Sequence, residues 1–220
     1  MVKTMPGFDV LRKKMVDNQV RTINVTDWRV LEAMGNVPRE LFVPPERRDL
    51  AYADLSHALG AGRALAAPAA LAKLLHLAEI HPDETALAVG AGTGYATAVL
   101  ASLCRHATGL EPDAALGNRA RANVAQLGLS NATLVSGPLD GSGLTGAYDV
   151  IVVEGGVQAV PASLFNRLAE GGRLVAVVSG TGAPLVTVYV RTGEEIGERA
   201  EFTLALPPLD AAPAPTVFRF

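Results

Sequence analysis

A single cysteine, Cys104, in 220 residues leaves no partner for an internal disulfide and no second thiolate for a zinc site. That usage suits a reducing, cytoplasmic setting. Basic excess is missing too: 19 Lys and Arg face 22 Asp and Glu, for a formal net charge of −3. No basic stripe is available to neutralise phosphates, which disfavours a nucleic-acid partner held by bulk charge. The short runs Arg12-Lys13-Lys14 and Arg47-Arg48 read as solvated charge. Residues 1–20 lack the apolar core and small-residue cleavage site of a secretory leader. Residues 85–104 carry no charge and are long enough to span a bilayer, yet Gly90, Gly92 and Gly94 break any helix there, so no membrane span is expected. His57, His76, His81 and His106 lack metal-ligand spacing, and no internal repeat is visible.

What is present, 49% apolar residues over this length, is enough for one buried domain with an extension. From about residue 68 short β-type runs alternate with amphipathic stretches, which predicts an α/β fold with a parallel sheet covered on both faces. Strands are expected at 85–89, 107–110, 132–135, 149–153 and 174–178. Helices are expected at 95–104, from Pro112-Asp113 to a stop at Gly128, and from Pro161 through Leu168, with Gly171-Gly172 as a turn. Residues 185–190 and 201–206 suggest an antiparallel hairpin separated by a polar stretch, and the Pro- and Ala-rich 207–215 an extended tail. The first 60 residues show no strand pattern. There, Thr26 is placed to cap a helix whose Trp28, Leu31 and Met34 share a face.

The segment Val89-Gly90-Ala91-Gly92-Thr93-Gly94-Tyr95 joins a strand to a helix, which lets its backbone approach a ligand at the carboxyl edge of the sheet. Its spacing is G-x-G-x-G, and Tyr95 stands where the dinucleotide fingerprint needs its third glycine, so the pattern favours a mononucleoside. Glu111 ends the next strand 21 positions after Gly90 and can accept hydrogen bonds from both hydroxyls of a ribose. As a lone residue, Glu111 also reads as a solvated strand-end acid.

With loop and acid in one βαβ unit, the chain resembles the class I S-adenosylmethionine-dependent methyltransferases, with Leu168-Ala-Glu-Gly-Gly-Arg-Leu174 as a later motif. Within them it resembles the protein-L-isoaspartate O-methyltransferase family, through Met15-Val-Asp-Asn-Gln19, Val37-Pro-Arg-Glu-Leu-Phe-Val-Pro44, Ala51-Tyr-Ala-Asp54 and Tyr148-Asp149-Val. The resemblance covers about residues 10–180 and fits the hairpin and tail poorly. It implies a Rossmann-like, doubly wound, mostly parallel seven-stranded sheet within a single domain over 1–220, divided into a helical extension (1–60), a cofactor-binding core (61–180) and a hairpin with tail (181–220). It also implies S-adenosylmethionine as cofactor, held by Leu65, Ala66, Ala67, Gly90, Ala91, Gly92, Gly94, Tyr95, Glu111, Pro112, Leu139 and Asp140. The methyl acceptor it implies is the carboxylate of an isoaspartyl protein or peptide. Such a carboxylate is already an anion at neutral pH, so the transfer needs alignment and no general base.

Several positions depart from the family. Its Gly-Gln-Thr-Ile-Ser-x-Pro segment, whose hydroxyls line the transfer site, reads Gly62-Arg63-Ala64-Leu65-Ala66-Ala67-Pro68 here. Ala66 therefore occupies the serine position and names no catalytic side chain, while Arg63 either supplies a guanidinium in place of the hydroxyls or, the favoured reading, is a solvated loop charge. Ala88 stands where the family has an acid for the amino group of the cofactor. Gly137-Pro138 replaces a Gly-Asp pair, with Asp140 either shifted into that place or an ordinary turn residue. Glu154, ending the fourth strand, is either catalytic or a rim charge, and Asp54 is assigned a structural task. Three functions stay open: the isoaspartate enzyme, a methyltransferase of the same lineage with another acceptor such as a small-molecule carboxylate, and a non-catalytic cofactor-binding or regulatory relative.

Overall fold

The computed structural model of the chain describes residues 7–209. Its centre is a seven-stranded sheet in the order β5 (Ala132–Val135), β4 (His106–Leu110), β3 (Thr85–Val89), β6 (Tyr148–Val157), β7 (Leu168–Val178), β8 (Leu185–Thr192) and β9 (Glu195–Thr203). The five strands from β5 to β7 are parallel, and β8 and β9 add antiparallel at one edge. Strands buried on both sides read as continuous apolar runs, which is why β3 and β4 lie within a residue of their expected places; the edge strand β5, with Thr133 exposed, also falls at its expected 132–135. Alternate side chains enter two cores. Ala86, Ala88, Val150, Val152 and Val175 face one with the N-terminal helices; Leu87, Val89, Ile151, Val153 and Leu174 face the other. Three helices connect the strands: α4 (Tyr95–Ala101), α5 (Ala114–Gln126) and the short α6 (Ala162–Phe165). As expected, Gly128 takes a left-handed φ of 68° just beyond α5.

Ahead of the sheet lie α1 (Phe8–Met15), α2 (Trp28–Asn36) and α3 (Pro68–Leu77), the last beginning on a proline that needs no N–H partner there. A two-stranded ribbon of β1 (His57–Gly60) and β2 (Arg63–Leu65) precedes α3, so the first 60 residues do include a strand. The cap of α2 is Asp27, whose carboxylate accepts from the Arg29 N–H at 2.9 Å, and not Thr26. Leu31 and Met34 are buried as expected, whereas Trp28 is 67% exposed because it opens the helix outside the packed stripe.

Two βα expectations also change. The helix after Pro161 stops at Phe165, because Tyr148 N–H pairs with the Arg167 carbonyl and draws Leu168 into β7. Gly171-Gly172 then lies in an irregularity inside that strand, where the pairing jumps from Tyr148 opposite Leu168 to Val150 opposite Arg173. In the hairpin the turn is tight, with Thr192 opposite Glu195 and Gly193 at φ 63°, so its second strand runs 195–203. Polar residues there misled the sequence reading because β9 is a largely exposed edge, where charge blocks further pairing. Residues 207–209 lie against the sheet, and the rest of the expected extended tail falls outside the described residues. Among the described residues no helix is long and apolar enough to cross a membrane.

Candidate functional site

The chain leaves β3 toward β4 on one side and later returns to place β6 on the other, so the carboxyl ends of β3 and β6 flank a topological switch point. The glycine loop fills that crevice. Gly90 and Ala91 donate their N–H groups to the Leu110 carbonyl at 2.9 and 3.0 Å, folding the loop back over β4. Gly90 has φ 84°, and a side chain there would collide with Arg63 Nη2 and Leu209 Cδ1. Gly94, at φ 92°, lets α5 approach until a Cβ at that position would stand 3.1 Å from the Ala120 methyl.

Glu111 is 1% exposed, far from a solvated strand end. Its carboxylate accepts from Gly92 N–H at 2.7 Å and Asp113 N–H at 3.0 Å, which ties the loop to the start of α5. A longer ion pair, 3.4 Å, joins it to Arg63. Arg63 is therefore buried, contrary to the solvated role expected of it; its second nitrogen donates to the Leu209 carbonyl at 3.2 Å. The contact to Arg63 is the one a polar ligand at Glu111 would displace.

The motif residues of the N-terminal segment brace this loop from outside. Arg39 is wholly buried, donating to the Ala51 carbonyl at 2.8 Å and the Ala66 carbonyl at 2.6 Å, with its guanidinium 4.9 Å from the centre of the Tyr95 ring. Gln19 donates to the Tyr52 carbonyl at 2.9 Å, and Asn123 of α5 to the Thr93 carbonyl at 3.0 Å. Asp54 accepts from Ala69 N–H at 3.1 Å, capping the start of α3. Asp149 takes both the N–H and the hydroxyl of Thr85, at 2.7 and 2.8 Å, and so locks β6 to β3 at the far end from the crevice. Arg12 departs from its expected solvated state: it is buried, donates to the Tyr52 hydroxyl at 2.8 Å and pairs with Glu40. Burial and the neighbouring Glu40 push the Tyr52 phenol up.

The remaining expected site residues divide. Leu65 and Ala66 are buried beside Arg39, and Ala67 lies at the head of α3. Gly90, Ala91, Gly92 and Gly94 form the loop, and Leu139 joins Val89, Val153, Val157, Val160, Pro161, Leu164 and Leu209 around an apolar hollow at the crevice. Pro112 is exposed. The Tyr95 side chain points away, packed edge-on against Phe42 with ring centres 5.3 Å apart, so only its backbone faces the loop. Asp140 uses its carboxylate on Ser142 N–H at 2.9 Å, closing a local turn, and that bond lowers its pKa. Sequence reasoning missed the returning tail: Gly156 N–H donates to the Pro207 carbonyl and Leu209 N–H to the Gly156 carbonyl, at 2.9 and 2.8 Å, which sets Leu209 over the loop. Nothing short of a pairing partner for Gly156 could have signalled this. Glu154 is likewise buried, not a rim charge, and its Oε1 has no hydrogen-bond partner among the described residues.

Residues 11–205 match the model of the protein-L-isoaspartate(D-aspartate) O-methyltransferase family. The chain belongs to this family. Among curated relatives, the protein-L-isoaspartate O-methyltransferase of Methylorubrum populi is 38% identical over 194 residues, covering 88% of this chain and 92% of its own. That of Koribacter versatilis is 39% identical over 190 residues, covering 84% and 83%. Among solved structures, a putative member from Plasmodium falciparum in complex with S-adenosyl-L-homocysteine superposes with a TM-score of 0.78 at 21% identity, covering 90% of this chain and 98% of that one. A protein-L-isoaspartate O-methyltransferase structure superposes at 0.77 and 22% identity, with 90% and 65% coverage. These likenesses establish the class I methyltransferase fold. Because the family match runs to residue 205, it includes the β8–β9 hairpin that resembled the family poorly in sequence.

Proposed function

We infer that the protein is an S-adenosylmethionine-dependent methyltransferase acting on the carboxylate of isoaspartyl residues in proteins or peptides. The observation that carries this is the family match over residues 11–205, falling on a chain whose crevice keeps the buried acid at the glycine loop. The residues fit the cofactor. Glu111 has both oxygens directed by backbone N–H groups, so its orientation is set before a ribose arrives, and its long Arg63 contact yields to two hydroxyl donors. Leu139, Val153 and Val157 line a small apolar hollow of about 10 Å³ under Leu209, so a purine is admitted between these walls once Leu209 moves off the loop. Bound there, S-adenosylmethionine supplies a sulfonium methyl, which a carboxylate oxygen takes as the carbon–sulfur bond breaks.

The work of this chain is positional. Leu209 and Leu65 exclude water, Arg39 fixes the Ala66 backbone, and no side chain has to move a proton. Buried, free Cys104, whose thiol is pushed up to about 11 by burial, fits a reducing cytoplasm.

One observation favours a second reading. Ala64 and Ala66 leave no hydroxyl on β2 or just after it, so a methyltransferase of this lineage with a different carboxylate acceptor is the alternative. Calorimetric titration with S-adenosylmethionine and S-adenosylhomocysteine, followed by methyl transfer to an isoaspartyl peptide, decides between them. Binding with transfer supports the first, binding without transfer the second, and no binding removes both.

A further inference from the structure

Glu154 is the one buried carboxylate in the crevice that this account leaves without a task. Register places it. Ala88 pairs with Val152 and Val89 with Val153, so the next rung sets Glu154 beside Gly90. Ala88, Val150 and Val152 share one core, which puts Glu154 on the same sheet face as Ala88, one step nearer the carboxyl edge. It is 8% exposed, and among the described residues its Oε1 has no hydrogen-bond donor. Arg39 and Arg63 act on it from the N-terminal segment and from β2, and Glu111 from the end of β4. Among the described residues both arginines also keep a buried nitrogen without an acceptor, Nη1 of Arg39 and Nε of Arg63.

Buried polar atoms with no partner are costly and rare, and two of opposite charge at Gly90, on Glu154 and on Arg63, mark a place for a ligand that brings both signs. An α-amino acid is such a ligand. Glu111 meets the ribose on the β4 side of Gly90, and Glu154 lies on the β6 side, so the two acids flank the loop. We propose that Glu154 receives the α-ammonium of the amino-acid end of the cofactor, with the unpartnered guanidinium nitrogen of Arg63 turned to its carboxylate. The anionic contact is thereby carried by β6, and β3 needs no acid at Ala88. This rests on the cofactor reading above.

Without a ligand, burial pushes the Glu154 carboxyl up to about 8; Arg63 and Arg39 oppose the rise and Glu111 adds to it. An ammonium favours the ionised form, so binding near neutral pH releases a proton and affinity rises with pH, by up to about tenfold per unit.

The test is calorimetric titration of the full chain and of Glu154→Gln with S-adenosylhomocysteine and with 5′-methylthioadenosine, which lacks the amino-acid end, at pH 6 and pH 7.5. Glu154→Gln is expected to weaken S-adenosylhomocysteine by at least about 10-fold at pH 7.5 and leave 5′-methylthioadenosine within about twofold. Only the wild type should bind S-adenosylhomocysteine more tightly at pH 7.5 than at pH 6, a readout that needs no variant. Equal loss of both ligands, unchanged binding, or a wild-type affinity flat with pH overturns the proposal and leaves the nucleoside site standing. Failure of the wild type to bind either ligand overturns the cofactor reading itself.

Discussion

Replacing Glu111 by alanine probes the loop and the ligand together. In the folded protein its carboxylate holds Gly92 N–H at 2.7 Å, Asp113 N–H at 3.0 Å and the Arg63 guanidinium at 3.4 Å, all out of water. A hydrogen bond to a charged group contributes about 1.5–3 kcal/mol, so loss of the ribose contact should weaken S-adenosylhomocysteine by about 10- to 150-fold. The same change strands Arg63 as a buried charge, at a cost of about 3–5 kcal/mol, a large part of a typical domain's stability. The double variant Glu111→Ala with Arg63→Met separates the two effects. It removes the stranded charge and should regain about 1 kcal/mol or more in denaturant unfolding, while its affinity stays low. Unfolding midpoints and calorimetric dissociation constants for wild type, both single variants and the double variant complete the cycle. A Glu111→Ala protein that is folded and binds S-adenosylhomocysteine within about twofold of wild type would refute the ribose role.

Other substitutions test other parts of the account. Asp149→Ala removes both Thr85 bonds that join β6 to β3 and should lower unfolding stability by about 1.5–3 kcal/mol without altering ligand affinity; a shift below about 0.5 kcal/mol would deny it that task. In stability against pH, Glu154 has a folded pKa of about 8, above its unfolded value, so the folded state binds the extra proton and stability falls as pH rises from about 4 to 8. Glu154→Gln should remove that slope and unfold at higher temperature than wild type at pH 8, and a slope unchanged in the variant would show the carboxyl to be solvated. Ala64→Thr with Ala66→Ser, which restores two hydroxyls beside the Ala66 carbonyl held by Arg39, should raise transfer to an isoaspartyl peptide at least about 10-fold at saturating cofactor. Equal rates would show that the hydroxyls are dispensable here.

Parallel strands buried on both faces carry their signal in composition, so β3, β4 and the glycine loop between β3 and α4 were legible along the chain, and the edge strand β5 through its β-branched and apolar residues. Glu111 was legible too, since its place after β4 follows from the βαβ unit. Contacts across long sequence separations were not. Arg12 meets Glu40 and Tyr52, and Arg63 meets Glu111 and Leu209, pairings that give an arginine no local mark to distinguish it from the solvated Lys13 or Lys14. The same limit hid the return of Leu209 to the crevice, which depends on the free edge of Gly156, and the ribbon of β1 and β2, whose strands of four and three residues are too short for a period to show. Departures from family residues were visible at Ala64, Ala66 and Ala88, but the buried Glu154, two residues beyond the partner of Ala88 on β6, appeared only once the register was known.

Transfer of radiolabelled methyl from S-adenosylmethionine, measured side by side on an isoaspartyl peptide and on the same peptide with ordinary aspartate, tests the central claim most directly. Base-labile label is expected in the isoaspartyl peptide alone, at a rate that saturates with cofactor. Label in neither peptide, from a protein shown to bind S-adenosylhomocysteine, would contradict it.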